Sequence, residues 1–399
     1  MTFKMVSLQR PAKGSDVTKF GYENAKQVQA FHRSFPEYQA TPLVKLDKLA
    51  AYLGLGNIYV KDESYRFGLN AFKVLGGSFA IGSYLAKRLG MTIKELPYSV
   101  MTSQAIKQKL GAITFVTATD GNHGRGVAWT ANRLQQKSIV YMPKGSAPER
   151  LKNIQALGSE ASITDLCYDD AVQLAHTEAK KLGGALIQDT DWAGYTEVPT
   201  WIMQGYTTMA LEAVQQLHKV KPTHIFLQAG VGAMSGALTG FFADLYGDGS
   251  EAPLVTIVEP EGANCIYRTA KANDGKLHPV TENMHTIMSG LCCGVPCTTS
   301  WHVLRDHADY FVSEPDYAAA TGMRVLGNPL PWDDRVISGE SGAATLGFVV
   351  EVMQRPELAE LRKTLKLDKN SRVLCFSTEG DTDKENYRRI VWNGAWADK

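Results

Sequence analysis

One lysine of this sequence lies in a setting that suits covalent chemistry. Lys73 is found in the segment AFKVLGG, where apolar residues surround it and Gly76 and Gly77 follow. An apolar environment lowers the pKa of a lysine amine, and a neutral amine can attack an aldehyde to form a Schiff base. The two glycines would let a bulky ring approach the backbone closely. A solvated lysine is the alternative, since most lysines lie at the surface.

A second segment, TATDGNHGRGVAW at residues 117–129, is predicted to follow a strand and to run into a helix. Asp120, Gly121 and Asn122 stand at that turn, where the free backbone N–H groups of a helix N-terminus can bind a carboxylate. Asp and Asn are also common helix caps, so capping is the alternative role. His123 alone predicts no function.

Three glycines, Gly230, Gly232 and Gly236, lie in LQAGVGAMSGALTG at residues 227–240, between a predicted strand and a predicted helix. Glycines in this place predict a phosphate site made of backbone amides, with a plain tight turn as the alternative. Their spacing is not that of a dinucleotide fold, and the Gly-Lys-Ser/Thr of a nucleotide P-loop is missing. Glu259 ends the next predicted strand and keeps a nicotinamide-binding alternative open, because dinucleotide folds place an acid there.

Two late segments carry small and hydroxyl residues at predicted strand or loop ends. They are ISGESGAATLG at residues 337–347 and VLCFSTEGDTD at residues 373–383. A hydroxyl from Ser377 or Thr378 could meet the nitrogen of a cofactor ring. Without further context, both segments would be ordinary turns.

Short β-branched apolar runs alternate with helical patterns along the chain, and this alternation predicts how the segments are positioned. Nearly continuous apolar strands separated by helices indicate an α/β fold with parallel sheets covered on both faces. In such sheets, ligands bind beyond the carboxyl ends of the strands. A length of 399 residues suggests two domains rather than one.

Composition and charge restrict the class of partner. The chain has 42 basic and 41 acidic side chains and a formal net charge of +1, which argues against nucleic acid or an anionic membrane surface. No apolar run has the length of a secretory signal or a membrane helix. The expected partner is a small molecule or a second copy of the chain, and the expected location is the cytoplasm.

Six cysteines are present, and they form no C-x-x-C pair, so neither a zinc site nor a redox motif is predicted. Cys292, Cys293 and Cys297 cluster in GLCCGVPC, where we expect small buried hydrophobic side chains. A bridge from Cys265 to Cys292 or Cys293 is the alternative.

Taken in this order, the segments resemble the fold-type II pyridoxal-phosphate enzymes, a group that includes threonine dehydratase, threonine synthase and the β-subunit of tryptophan synthase. The resemblance is closer to one family of that group, the diaminopropionate ammonia-lyases, and it runs from residue 61 to residue 383. The strings that carry it are KDES-RFGLNAFK, TDGNHGRGVAW, YMPKGSA-ER, WIMQGY, LQAGVGAM, GMRVLGNP, ISGESGA and STEGDTD.

The resemblance implies a role for each matching residue. Lys73 would be the Schiff-base lysine of pyridoxal 5'-phosphate, and Asn122 would face the phenolic oxygen of the ring. Asp189, in IQDTDWAGY, would be an acid near the substrate amino group, with loop capping as the alternative. Thr378 or Ser377 would meet the ring nitrogen. The phosphate would be held by Gly230, Val231, Gly232, Ala233 and Met234.

Asp120 stands where a dehydratase of this group has a serine, in its S-x-G-N-H loop. A dehydratase removes water from a neutral hydroxyl, whereas a diamino acid carries a β-ammonium group that an anionic Asp120 would attract. The resemblance implies elimination from both D- and L-2,3-diaminopropionate, giving pyruvate and two ammonia. Lys73 and Asp120 would then be bases on opposite faces of Cα. Asp120 or Asp189 would supply the proton to the leaving amine.

Two other functions stay open at this point. One is a serine or threonine dehydratase of the same fold, and the other is a dinucleotide-dependent oxidoreductase. The resemblance also implies two open, twisted, mostly parallel-sheet domains with the cofactor between them. The small domain would span residues 73–193, and the large one residues 1–72 with 194–399. A homodimer is the usual assembly in this group.

Overall fold

The computed structural model describes residues 2–119, 121–282 and 284–397. Its strands are β1 (Lys4–Ser7), β2 (Leu43–Lys45), β3 (Asn57–Asp62), β4 (Thr114–Ala118), β5 (Lys137–Met142), β6 (Glu160–Ile163), β7 (Ala185–Leu186), β8 (His224–Gln228), β9 (Leu254–Pro260), β10 (Tyr310–Glu314) and β11 (Arg372–Ser377). Its helices are α1 (Tyr22–Arg33), α2 (Asp47–Leu53), α3 (Val74–Leu89), α4 (Tyr98–Met101), α5 (Gln104–Leu110), α6 (Asn122–Arg133), α7 (Pro148–Gln155), α8 (Tyr168–Lys181), α9 (Glu197–Gln216), α10 (Ala233–Tyr246), α11 (Cys265–Ala272), α12 (Thr298–His307), α13 (Asp316–Gly327), α14 (Glu340–Gln354), α15 (Ala359–Thr364) and α16 (Lys384–Val391).

The chain divides into two compact units. The first unit consists of Met1–Gly21, Thr41–Tyr65 and Met209–Lys399, and the second of Tyr22–Ala40 and Arg66–Thr208. The second unit contains the predicted small domain, residues 73–193, together with flanking segments. The predicted boundaries of the two domains, residues 73–193 and residues 1–72 with 194–399, stay a prediction.

A seven-stranded sheet forms the framework of the first unit, in the order β1-β10-β9-β8-β11-β3-β2. The five inner strands run parallel, and the two edge strands, β1 and β2, pair antiparallel with their neighbours. All five residues of β8 are buried, as an apolar run covered on both faces requires. The carboxyl ends of β8 and β11 are adjacent in this sheet, so they form an edge at which a ligand can bind.

A four-stranded parallel sheet forms the framework of the second unit, in the order β6-β5-β4-β7. An apolar cluster that includes Val116, Ala171, Ala175 and Leu186 packs α8 against this sheet. The loop after β4 leads into α6, and the loop after β7 carries Asp189. Because β4 and β7 are parallel neighbours, these two loops leave the same edge of the sheet. The predicted α/β fold with mostly parallel sheets is confirmed.

One acidic residue, Glu314, is buried in the first unit next to other acidic groups. Glu314 ends β10 and is fully buried, and neither of its carboxyl oxygens has a hydrogen-bond partner in the described part of the chain. Burial, followed by the nearby charges of Asp316 and Glu351, raises the pKa of Glu314 well above its ordinary value. The uncharged form of this carboxyl is therefore favoured in the folded protein.

We expect the free energy of unfolding to fall less steeply with rising pH in Glu314→Gln than in the unaltered protein. Because the folded-state pKa is raised, the stability linked to Glu314 is complete below the ordinary carboxyl pKa and is lost as pH rises toward the folded pKa. In that range this group lowers the free energy of unfolding by roughly 1 kcal/mol per pH unit, and glutamine removes this loss. Urea unfolding between pH 5 and pH 9 measures it, with Glu360→Gln on the exposed face of α15 as control. Parallel pH curves for the two variants would contradict the expectation.

Candidate active site

Lys73 immediately precedes α3 and forms an ion pair with Asp189. Its Nζ donates a hydrogen bond to Oδ2 of Asp189 at 2.5 Å. The Asp189 side chain is 4% exposed and that of Lys73 is 21% exposed. With so little water around the pair, each charge acts strongly on the other. The sequence predicted both residues for the site, and the structure brings them together across 116 positions of the chain.

Two opposing influences set the pKa of Asp189. Burial by itself raises the pKa of this carboxyl, but the charges of Lys73 and His123 and the hydrogen bond from Lys73 together outweigh it. The pKa of Asp189 therefore lies well below its ordinary value, and the group is an anion. Since Lys73 is the largest of the lowering influences, loss of its charge would let burial raise the pKa of Asp189 again.

The side chain of Gln188 fixes the loop that carries Asp189. Its Oε1 accepts hydrogen bonds from Thr117 Oγ1 and from the Ala118 amide, both at 3.0 Å. Its Nε2 donates to the hydroxyl of Tyr168 at 2.9 Å. The residue that precedes Asp189 is thus tied to the end of β4 and to the start of α8, which holds the loop beside Lys73.

Two further side chains hold the backbone of the same loop. The Tyr195 hydroxyl accepts a hydrogen bond from the Gln188 amide and donates one to the Leu186 carbonyl, both at 2.9 Å. The buried His123 ring lies with Nε2 at 2.8 Å from the Ile187 carbonyl, so Nε2 carries the proton and donates it. Hydrogen bonds therefore fix each residue of the loop that follows β7, namely Ile187, Gln188 and Asp189.

The sequence did not predict Tyr168, Gln188 or Tyr195 as site residues, and it gave His123 no role. Each is a polar residue of a type that occurs on helices and loops throughout soluble proteins. Their partners lie 7 to 71 positions away in the chain, so no local spacing marks them. Only the folded loop reveals their contribution.

Two other predicted residues lie near the start of α6. Asn122 is the first residue of this helix and is half-buried, as expected for a group at a helix N-terminus. Asp120 lies outside the described residues, so its predicted role as a base stays a prediction. Thr119 Oγ1 accepts a hydrogen bond from the Gly121 amide at 2.9 Å, which links these two residues.

The neighbours of Gly76 and Gly77 correct one expectation. A Cβ on Gly76 would lie 2.6 Å from Cε1 of the Tyr206 ring, and a Cβ on Gly77 would lie 3.4 Å from the backbone of Gly126. The missing side chain of Gly76 therefore lets the Tyr206 ring of α9 pack closely against α3, whereas the distance at Gly77 is an ordinary van der Waals contact. On the Cβ side of Gly76, the ring that approaches the backbone is that of Tyr206.

The glycine-rich loop of the first unit joins β8 to α10. Gly232 precedes α10 with φ of +93°, a conformation that glycine adopts without strain. Its carbonyl accepts a hydrogen bond from Ser300 Oγ at 2.5 Å, which fixes the loop. The first amides of a helix have no acceptor within the helix, so those of Ala233 and Met234 are oriented to bind an anion.

Gln228 links this loop to the late hydroxyl segment. Its Nε2 donates to Thr378 Oγ1 and to the Ser341 carbonyl, both at 3.0 Å. Ser377 instead donates to Ser338 Oγ at 2.8 Å. The structure thus places Thr378 beside the end of β8, near the start of the glycine-rich loop, while Ser377 faces a different neighbour.

Known proteins resemble this chain over nearly its whole length. Residues 35–378 match the family of pyridoxal-phosphate-dependent enzymes. The chain is 50% identical over 372 residues to diaminopropionate ammonia-lyase of Salmonella typhimurium, covering 92% of each chain. It is 48% identical over 380 residues to that of Escherichia coli K12, covering 95% of this chain and 94% of the relative.

A solved structure agrees with these relatives. The crystal structure of Escherichia coli diaminopropionate ammonia-lyase in complex with D-serine has a TM-score of 0.92 and 45% identity, covering 99% of this chain and 98% of that one. The chain belongs to the diaminopropionate ammonia-lyase family. The family predicted from the sequence motifs is confirmed, and so is pyridoxal phosphate as the cofactor. Threonine dehydratases are more distant, at 24% identity over 330 residues for the enzyme of Salmonella typhimurium.

The residues present fit the cofactor of the diaminopropionate ammonia-lyase family. The glycine-rich loop offers backbone amides for a phosphate, and a Cβ on Gly230 would lie only 3.1 Å from Cys293 Sγ, so the loop has no room for a side chain there. Gln228 Oε1 and Ser341 Oγ are buried and have no hydrogen-bond partner among the residues that the structure describes. Such orphaned polar atoms are typical of a site that binds a polar group.

The dinucleotide alternative is wrong for this member of the diaminopropionate ammonia-lyase family. Glu259 is buried, and its carboxylate accepts hydrogen bonds from the Ile266 amide at 2.9 Å and from the Tyr267 amide at 2.5 Å. Both oxygens therefore cap the start of α11. Burial raises the pKa of Glu259 to about 8 in spite of these bonds. The carboxyl is buried at the start of α11 and is not presented to a ribose hydroxyl.

Cys265 and Cys293 lie beside the glycine-rich loop. All six cysteines belong to the described residues, and the structure shows no disulfide between them. Cys265 donates to the Gly230 carbonyl at 3.8 Å, and burial raises its pKa well above the usual range. The prediction of unbridged thiols holds for this structure. Of the three clustered cysteines that we expected to be buried, Cys297 is buried, whereas Cys292 and Cys293 are only partly buried.

Among the described residues, no helix combines the length and the apolar composition that crossing a bilayer demands.

Proposed function

We propose that this chain eliminates ammonia from D- and L-2,3-diaminopropionate and yields pyruvate and two ammonia. The observation that carries the proposal is the buried ion pair of Lys73 and Asp189, found in a chain whose close relatives are diaminopropionate ammonia-lyases. One solved structure of the Escherichia coli enzyme contains an aminoacrylate-PLP azomethine reaction intermediate. The proposed activity makes this chain a carbon–nitrogen lyase.

In this proposal, five sets of residues hold the cofactor or act beside it. Lys73 binds it covalently, the amides of residues 230–234 hold the phosphate, and Asn122 faces the phenolic oxygen. Pyridoxal phosphate, when bound, supplies the electron sink that makes the Cα proton of the substrate removable. Thr378 meets the ring nitrogen, and Asp189 acts beside the substrate amino group.

Thr378 is a better candidate than Ser377 for the ring nitrogen. Thr378 Oγ1 accepts a hydrogen bond from Gln228, so its own proton is left for an acceptor. The proton of Ser377 is donated to Ser338. A neutral hydroxyl that donates to a pyridine nitrogen leaves this nitrogen unprotonated.

Asp189 can take up the proton that Lys73 must release. Lys73 attacks only as a neutral amine, and Oδ2 of Asp189 lies 2.5 Å from its Nζ. Once the charge on Lys73 is gone, burial favours the protonated carboxyl. A protonated Asp189 is then an acid beside the substrate, which supports it as the donor to the leaving β-amine.

Steady-state assays with both isomers test the proposal, and Asp120→Ser tests the two-base arrangement. We expect the unaltered enzyme to turn over D- and L-diaminopropionate faster than serine or threonine. We expect Asp120→Ser to lower kcat for one isomer by roughly 100-fold or more, because the base on one face of Cα is lost. Turnover of the other isomer stays within about tenfold, since Lys73 remains.

Two results would count against these assignments. Faster turnover of threonine than of either diaminopropionate isomer would make the chain a dehydratase. An equal fall of kcat for the D- and L-isomers in Asp120→Ser would exclude a separate base for each face of Cα.

Assembly and location complete the proposal. We infer a homodimer, because that is the usual assembly among the fold-type II enzymes that the sequence resembles. We infer a cytoplasmic location from the lack of any long apolar run in the sequence.

A further inference from the structure

Tyr206 is a buried tyrosine whose hydroxyl has no hydrogen-bond partner within the described ranges. It belongs to the WIMQGY string at residues 201–206, which the sequence singled out but which has no role in the proposed reaction. The residue lies on α9 and is 1% exposed. A buried hydroxyl without a partner weakens a fold, and phenylalanine would fill the same space without this cost.

Two glycines place the Tyr206 ring against the start of α3, the helix that Lys73 precedes. A Cβ on Gly76 would lie 2.6 Å from the ring, and a Cβ on Gly205 would lie 2.3 Å from the Leu75 carbonyl, so α9 packs directly against the start of α3. The Tyr206 ring also lies 4.7 Å from the ring of Phe72, between centroids. The Phe72 ring centroid is in turn 6.0 Å from Nζ of Lys73.

The charged groups that face Tyr206 belong to the candidate active site. Lys73 and Asp189 both act electrostatically on its phenol, and burial, the larger influence, raises the pKa of Tyr206 well above the usual range. Around Asp189 stand Lys73, His123, Tyr168 and Tyr195. The phenol is therefore neutral at any working pH and can either accept or donate a hydrogen bond.

We propose that the Tyr206 hydroxyl is a second hydrogen-bond acceptor for the amine of Lys73. It accepts a hydrogen bond from this amine when the amine turns away from Asp189. Until its proton passes to Asp189 the amine of Lys73 is a cation, and a buried cation needs an acceptor in each position that it takes up. Tyr206 is thus a positioning residue that acts through Lys73. The inference rests on the proposed role of Lys73 as the Schiff-base residue.

Reconstitution of the apoenzyme tests this inference without relying on turnover. Pyridoxal phosphate is added to the full-length apoenzyme, and the rise of the visible absorbance of the lysine-bound cofactor is followed as a function of pH. We expect Tyr206→Phe to move the midpoint of this pH profile about one unit lower, because the acceptor that stabilises the ammonium form is gone. We expect the limiting rate to fall about tenfold, since the amine is less well oriented.

A matched control is available in the first unit. Tyr387 is also buried with a hydroxyl that lacks a hydrogen-bond partner among the described residues, and it lies on α16. We expect Tyr387→Phe to leave the reconstitution profile unchanged. Both variants should melt at or above the temperature of the unaltered apoenzyme, because each removes an unsatisfied hydroxyl and keeps the ring.

Each other outcome contradicts the inference. An unchanged pH midpoint in Tyr206→Phe, or an equal shift in Tyr387→Phe, would show that the hydroxyl does not act on Lys73. A lower melting temperature or an unfolded Tyr206→Phe protein would show that the hydroxyl has a structural partner instead. Lys73→Ala is measured in parallel, because an absorbance band that survives in it would contradict the role of Lys73 itself.

Discussion

Replacing Lys73 by alanine removes the visible absorbance of the bound cofactor and lowers kcat for both diaminopropionate isomers by roughly 10⁴-fold or more. The alanine side chain has no amine to bind the aldehyde covalently, to release the product or to act as a base on one face of Cα. All of these roles depend on one nitrogen, so the losses cannot be compensated by neighbouring groups. Absorbance before and after borohydride treatment and steady-state kinetics measure the effect.

Lys87 provides the control for this substitution. It lies on the same helix, α3, and pairs with Glu197 at 2.6 Å, but its side chain is 64% exposed. We expect Lys87→Ala to keep the absorbance band and to change kcat less than about twofold, since exposed ion pairs contribute little. If Lys73→Ala kept a band that borohydride bleaches, another lysine would have to hold the cofactor.

Asp189→Asn has the second largest expected effect. Asparagine keeps the size of the side chain but removes the charge that holds the Lys73 ammonium group and the oxygen that can take up its proton. General acid and base groups commonly contribute 10²- to 10⁴-fold, so we expect a loss of roughly this size in kcat for both isomers. Glu197→Gln, which breaks the exposed pair with Lys87, is the matched control and should change kcat less than about twofold.

The same variant has a signature in stability. Because the pKa of Asp189 is lowered in the folded state, its contribution is present above the ordinary carboxyl pKa and is lost as pH falls through the folded-state value. We expect Asp189→Asn to unfold at a lower temperature than the unaltered apoenzyme at pH 7, with a difference that shrinks toward acid pH. A kcat within tenfold of the unaltered enzyme, together with equal melting temperatures at pH 7, would show that the ion pair contributes neither to catalysis nor to stability.

The parts of the site that the sequence predicted are those built from neighbouring residues. A strand, a glycine-rich turn and a helix follow one another in residues 224–246, so this loop can be predicted as a phosphate site without knowing the rest of the fold. Burial on both faces favours short apolar runs such as IFL in β8, and such runs indicate inner strands. The short edge strands β1 and β2 are only partly buried and carry no such run.

The parts that the sequence could not predict depend on contacts between distant segments. The sequence around Gly76 is the same whether a cofactor ring or a protein ring packs against this glycine. Only the position of α9 shows that the Tyr206 ring packs there. Glu259 has the chain position of a ribose-binding acid, but the start of α11 takes both of its oxygens. Thr378 and Ser377 are adjacent in sequence, and only the position of Gln228 distinguishes them.

The sequence by itself therefore identified the family and with it the cofactor, because several of its motifs resemble those of the family in the same order. It also predicted Lys73 and the glycine-rich loop as parts of the site. The tertiary structure decided which groups act on that lysine. Asp189 lies 116 positions from Lys73, and its charge state results from burial and from the Lys73 ammonium together. Electrostatic and hydrogen-bond energies depend on distance and on exclusion of water, and neither quantity is defined until the chain has folded.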